Sequence, residues 1–196
     1  ETIYYLGQGY NFFFLYLSFD ILFNGNNIFN NSEFDNYLKR LGYKFKSENH
    51  DFGGYLILKN KKVCLVMDVG STPNLKYTKN YQSGALSFEI VSSGKKLITN
   101  CGYYKKIDSK LNELSRSSAA QSTLVIDDNS SCKFIKNDKN LFIKKGLKII
   151  KKDSIFEKDY WKIVASHDGY LKKYNSVHER EIEFYPNKMM FIGRDR

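Results

Sequence analysis

From about residue 53 onward the apolar residues recur with period two. Val63, Leu65, Met67 and Val69 alternate with Cys64, Val66 and Asp68, and Leu86, Phe88 and Ile90 alternate with Ser87 and Glu89. Successive side chains of a strand point to opposite faces, so this alternation specifies strands and is incompatible with an amphipathic helix. Residues 55–58 are set to pair with the first run across Asn60-Lys61, and Ser92-Ser93-Gly94-Lys95 turns the second run back into a strand at 96–100. Further strands are expected at 123–127, 133–136, 147–150, 161–166, 178–184 and 189–193. Turn signals recur roughly every 8 to 15 residues, with no amphipathic helix between them. The expected fold is mainly β, a large antiparallel β-sandwich.

Residues 1–48 differ. After the aromatic run from Phe12 to Leu17, Ser32 can cap a helix with Glu33 and Asp35 in its first turn. Phe34, Tyr37, Leu38 and Leu41 follow at helical spacing, and Gly42 supplies the stop. The stretch reads as the end of a larger helical unit upstream, and the chain, which starts at Glu1, as a piece of a longer polypeptide. No apolar run approaches the roughly 20 residues of a membrane helix, so no membrane insertion is expected.

Fifteen Tyr, 15 Phe and one Trp suffice for a sizeable core and exclude a disordered class. The net charge of +10 rests on 26 Lys and only five Arg, beside 18 Asn. Excess Lys, Asn, Ile, Tyr and Phe together is what an AT-rich coding bias produces. The lysines fall in scattered pairs, such as Lys61-Lys62 and Lys144-Lys145, which solvated strand ends and turns explain. No nucleic-acid partner is expected, because such surfaces gather Arg and Lys on one face. An acidic polysaccharide remains a candidate partner. Cys64, Cys101 and Cys132 lack CxxC spacing and read as buried free thiols.

General catalytic motifs are missing. Gly7-Gln8-Gly9 has no phosphate-loop context, and Asn30-Asn31-Ser32 and Asn129-Ser130-Ser131 fit the glycosylation pattern only as short strings do. His50, His167 and His178 have no metal spacing among themselves. His167-Asp168-Gly169-Tyr170 reads as a turn, which puts His167 and His178 on neighbouring strands of one hairpin. A hydrogen-bonding role in the sheet, without a metal, is expected for the pair.

Two stretches stand out together. The first runs from Ser83-Gly84-Ala85-Leu86-Ser87-Phe88-Glu89 to Asn100-Cys101-Gly102, and the second from Arg116 through Gln121 to Asp127. With HDGYLKKYNSVHEREIEF at 167–184, LFNG at 22–25 and Gly54-Tyr55, they resemble the C-terminal region of heparinase II/III polysaccharide lyases. The likeness covers nearly the whole chain and is greatest to divergent alphaproteobacterial members with a VNCG-like stretch.

That resemblance implies an (α/α) toroid followed by an antiparallel sandwich, with residues 1–48 as the end of the toroid and 49–196 as the sandwich. It implies β-elimination on uronic-acid polymers, a bacterial cytoplasmic or periplasmic setting, and the upstream toroid as a partner. The family's catalytic histidine maps onto Asn80, and its metal ligands onto Gln82, Asn100 and Gln121, with Gly84 where an aspartate usually stands. An amide has no useful pKa for acid–base work and is a poor zinc ligand beside imidazole and carboxylate. The site is therefore expected to be degenerate, with no cofactor and no activity in this segment alone. Asn80, Tyr81, Gln82, Tyr103 and Arg116 are the candidate glycan contacts. For Arg116 two readings stand, bidentate sugar recognition or capping of strand carbonyls. Two other functions are open: a full-length lyase working through toroid residues, and a non-enzymatic binder of anionic polymers.

Overall fold

The structure, a computed structural model, describes residues 40–42, 48–102, 109–137 and 140–196. Most of the helix expected after Ser32, the stretches at 7–9 and 22–25, and Tyr103 lie outside the described residues. Among those described, the chain is an antiparallel β-sandwich. The first sheet holds β1 (Glu48–Phe52), β2 (Tyr55–Lys59), β3 (Val63–Asp68), β4 (Phe88–Ser92) and β5 (Lys95–Ile98), paired in that order. A short helix, α1 (Ser109–Arg116), follows, then a hairpin of β6 (Lys133–Asn137) and β7 (Asn140–Lys145). The second large sheet runs β11 (Met190–Asp195), β10 (His178–Tyr185), β9 (Trp161–His167), β8 (Ile149–Phe156), with helix α2 (Leu171–Tyr174) between β9 and β10.

Local chemistry sets the hairpins. The Asn60 carboxamide oxygen accepts from the amides of Lys62 (2.9 Å) and Val63 (2.8 Å), closing the β2–β3 turn. Ser93 (φ 48°) and Gly94 (φ 76°) both take left-handed backbone, the twist a two-residue hairpin loop needs, and Ser92 then pairs with Lys95.

The alternation read from the sequence becomes the core. Leu56, Leu58, Val63, Leu65, Met67 and Ile90 of the first sheet pack on Trp161, Ile163, Ala165, Ile182 and Phe184 of the second. The Trp161 and Phe184 rings meet edge-on at 4.9 Å, and Phe184 stacks on Phe191 at 4.3 Å. Each such fully buried side chain contributes about 1.5–3 kcal/mol. A smaller core of Ala85, Cys132, Ile143 and Leu147 lies under the β6–β7 hairpin, with Tyr81 and Phe134 against it.

Several expectations need correction. Residues 123–127 form no strand; they are a loop with a single bridge, Ile126 to Asn129, turned by left-handed Asp127 and Asp128. Their backbone carbonyls are held by the Tyr170 and Tyr174 hydroxyls, and the Thr123 hydroxyl donates to Ala85 O, in place of a sheet neighbour. Strands β1 and β7 and helix α1 were not visible in the alternation. The strand expected at 147–150 starts at Ile149 and runs to Phe156; its charged, exposed middle suits an edge strand, which needs only one partner. Cys64 and Cys132 are buried thiols, but Cys101 is exposed. Lys61-Lys62, Lys95-Lys96 and Lys144-Lys145 do fall at a turn and at strand ends, while Lys151 lies within β8 and pairs with Glu179 on the outer face of the second sheet. His167 and His178 do stand opposite each other on β9 and β10.

Candidate functional site

Three loops meet beside the small core. The first leaves a 3-10 turn at Leu75–Asn80 and carries Tyr81, Gln82, Ser83 and Gly84 into the Leu86 bend. The second, after β5, carries Asn100, Cys101 and Gly102; the third runs from the end of α1 through a 3-10 turn at Ser118–Ala120 to Gln121. They are tied backbone to backbone, Ser83 N–H to Arg116 O (2.8 Å) and Cys101 N–H to Ala120 O (3.1 Å). Buried serines add a second layer. Ser83 and Ser131 hydroxyls lie 2.9 Å apart, Ser118 donates to Ser83 O (2.7 Å), and Cys132 N–H donates to the Ser83 hydroxyl (2.9 Å).

Arg116 is 1% exposed. Its Nε donates to Tyr81 O (2.8 Å), Nη1 to Leu141 O (2.7 Å) and Nη2 to Thr78 O (2.8 Å), with the Phe134 ring against the guanidinium. One side chain thus fastens the 3-10 turn, the Gln82 loop and β7. Of the two readings the sequence left open, this is the carbonyl-holding geometry. Tyr81 packs inward as well; its hydroxyl is buried, and burial pushes its pKa well up.

The mapped positions come together as follows. Gln82 Nε2 donates to Gly102 O (3.0 Å) and Ser115 O (3.4 Å), and Gln121 Nε2 donates to the same Ser115 O (2.9 Å). Asn100 Oδ1 accepts from Ser122 N–H (2.6 Å), while its buried Nδ2 has no hydrogen-bond partner among the described residues. Two amides therefore converge on one carbonyl and the third grips the backbone just beyond Gln121. Among the described residues, the hydrogen bonds of these three amides run to backbone and not from amide to amide. Asn80 ends the 3-10 turn and is half-buried. A Cβ on Gly84 would sit 3.2 Å from the Ser87 hydroxyl and 3.4 Å from Gln121 Cγ, so an aspartate there would be crowded.

Glu89, on β4, accepts from Asn100 N–H (3.0 Å) and the Thr99 hydroxyl (3.3 Å); burial raises its pKa against those two bonds. Asp68, at the end of β3, is pushed up to about 7 by burial, against the hydrogen bond it accepts from Gly70 N–H (2.9 Å). The sequence reading missed both, and missed Arg180, which lies on the inner face of β10 and is 7% exposed. The signal was there: His178 and Arg180 fall in phase with Ile182 and Phe184.

The family profile for the heparinase II/III-like C-terminal domain matches residues 44–196. The chain belongs to the heparinase II/III-like family. Among solved structures it is similar to a heparinase III gene product, at 18% identity and TM-score 0.61, over 85% of this chain and 25% of that one. It is also similar to the heparan sulfate lyase HepC from Pedobacter heparinus, at 18% identity and TM-score 0.56, over 86% and 25%. A further heparinase III matches at 16% identity and TM-score 0.56, over 99% and 33%. The chain thus spans about a quarter of the length of the first two, and at these identities the likeness establishes the fold. No curated protein sequence matches.

The donor set at the mapped positions does not fit the metal the resemblance implies. Gln82 and Gln121 present N–H groups already directed at carbonyls, and the Asn100 oxygen is taken by Ser122 N–H. Neither imidazole nor carboxylate is among them to offset the dehydration of a zinc ion.

Proposed function

We propose that this chain is the C-terminal sandwich of a heparinase II/III-like polysaccharide lyase in which the site positions have become structural, kept for fold stability and glycan contact and not catalytic by itself. The shared use of Ser115 O by Gln82 and Gln121 carries the reading. Side chains that act as fixed donors to backbone stiffen the loops that carry them. β-Elimination on a uronate needs one group to take the C5 proton and another to protonate the leaving oxygen. Asn80, Gln82, Asn100 and Gln121 can do neither near neutral pH.

With Arg116 and Tyr81 turned inward, sugar contact on this segment is proposed to rest on Asn80, on the carboxamide oxygen of Gln82, whose N–H groups are committed to backbone, and on Tyr103. The ligand class proposed is an acidic polysaccharide, in keeping with the named activity of HepC. Residues 1–48 are proposed to be the end of a toroid and 49–196 the sandwich packed against it. An active full-length lyase would then draw its acid and base from the toroid.

The test is calorimetric titration of the chain with heparan sulfate, alginate and hyaluronan oligomers at low salt, with unsaturated uronate followed by its ultraviolet absorbance. The expected result is weak binding, reduced by Asn80→Ala, without product. Product formation by the chain alone overturns the non-catalytic reading. An absence of binding at about millimolar ligand overturns glycan contact.

A further inference from the structure

A directed chain of hydrogen bonds crosses the second sheet. Gly169 N–H donates to His167 Nδ1 (3.0 Å), which fixes that nitrogen as an acceptor. The neutral ring therefore carries its proton on Nε2 and donates to His178 Nδ1 (3.2 Å). His178 in turn carries its proton on Nε2 and donates to Asp195 Oδ1 (2.9 Å). Asp195 also accepts from Arg180 Nε (2.7 Å) and Nη2 (2.8 Å), and Arg180 Nη1 donates to Leu86 O (2.7 Å) and Ser122 O. Both imidazoles are buried, at 0% and 1% exposure.

Both ends of this chain hold the same loop. Arg180 grips Ser122, next to Gln121. At the other end the turn after His167 carries Tyr170, whose hydroxyl donates to Leu124 O (2.6 Å), and Tyr174, which donates to Ile126 O (3.1 Å). Lys173 Nζ donates to Asn129 Oδ1 (2.7 Å).

The chain has no place for an added proton. A proton on His167 Nδ1 faces the Gly169 N–H directly. A proton on His178 Nδ1 forces His167 Nε2 to accept, which moves the His167 proton to Nδ1 and faces it with the same N–H. Either way the conflict falls at Gly169. That residue cannot step back easily, since even a Cβ there would lie 2.7 Å from Ser131 O. The charged and titratable groups around the pair are Asp168 and Tyr170 beside His167, Arg180 on β10 and Asp195 on β11.

We propose that His167, His178, Asp195 and Arg180 form a proton-gated latch that holds loop 122–131 closed and releases it, with the 168–175 turn, when the histidine pair takes up a proton. This stands on hydrogen-bond geometry and does not depend on a glycan being the ligand. Depression of the His167 pKa by burial is in keeping with it.

The experiment is hydrogen exchange of the 196-residue chain across the pH range in which the pair protonates, with imidazole nitrogen NMR on the same samples. At neutral pH both rings should show the Nε2–H tautomer. On acidification, protection factors in 122–131 and 168–175 should fall about tenfold further than those in β3 and β10. His167→Asn, whose oxygen can replace Nδ1 as acceptor for Gly169 N–H, should keep the loop protected and remove the pH response. An Nδ1–H tautomer for either ring, or protonation of the pair with unchanged loop protection, overturns the latch. If His167→Asn fails to fold, the wild-type titration alone decides.

Discussion

Replacing Arg116 separates its two readings. Among the described residues, this buried guanidinium donates to Thr78 O, Tyr81 O and Leu141 O. Bonds from a charged donor contribute about 1.5–3 kcal/mol each. Thr78 O keeps a second donor, Tyr81 N–H at 3.1 Å, so its loss is the mildest of the three. Allowing for that and for water entering the gap, Arg116→Ala should cost on the order of 4 kcal/mol, much of the ~5–15 kcal/mol that holds a domain folded. Arg116→Lys keeps the charge but ends in one ammonium that cannot span three carbonyls on three segments, so about half of that loss is expected. The assay is urea unfolding followed by Trp161 fluorescence, with glycan titration of the folded Lys variant alongside. A loss under about 1 kcal/mol for Arg116→Ala would refute the carbonyl-holding role. So would a Lys variant of unchanged stability that has lost glycan affinity.

Two buried acid–base groups should give opposite pH responses. His167 is held at about 4, below its ordinary 6.5, chiefly by burial and then by His178. The unfolded chain takes a proton that the folded one refuses, so stability present above about pH 6.5 is lost as pH falls toward 4, by roughly 3 kcal/mol. Asp68 has the reverse sign: with its carboxyl raised to about 7, the folded state holds a proton that the unfolded state has lost, and stability falls as pH rises from about 4 to 7. Asp68→Asn, which keeps the acceptor for Gly70 N–H, should therefore stabilise by on the order of 1–3 kcal/mol at alkaline pH and not below pH ~4. Denaturation across pH in this variant, with Glu89→Gln added to remove the other raised carboxyl, then exposes the His167 limb, and a flat profile there would count against the buried neutral histidine. Gly146→Ala places a Cβ 2.5 Å from Thr72 Cβ, on a residue pinned by Thr72 N–H to Leu147 O (3.0 Å) and Leu147 N–H to Thr72 Oγ1 (2.9 Å). A loss of about 2 kcal/mol is expected by thermal melt, and an unchanged melting temperature would show that the 70–72 loop yields.

Strands with one face in the core were legible, because burial imposes the period: β2, β3, β4, β9 and β10 all fall where alternation puts them. β8 was only half legible, since an exposed edge strand has no apolar face to advertise. The 123–127 stretch misled for a different reason. Thr123, Val125 and Ile126 have strand propensity, but Arg180, Tyr170 and Tyr174 supply the backbone partners that a neighbouring strand would have. α1 is too short and its leucines too exposed, Leu111 at 43% and Leu114 at 56%, for the helical period to register. At the candidate site, family motifs located the loops of Gln82, Asn100 and Gln121. Which partner each inward group takes depends on residues distant in the chain, such as Leu141 for Arg116 and Asp195 for His178. No local pattern encodes those.

The most direct test of the account is a calorimetric zinc titration of the chain beside the triple variant Gln82→His, Asn100→Asp, Gln121→His. If the loops have kept the family geometry and lost only its ligands, the wild type gives no binding heat. The variant should bind one zinc and gain a few kcal/mol of stability at saturating metal. Stoichiometric zinc binding by the wild type, or no binding by a folded triple variant, would contradict it.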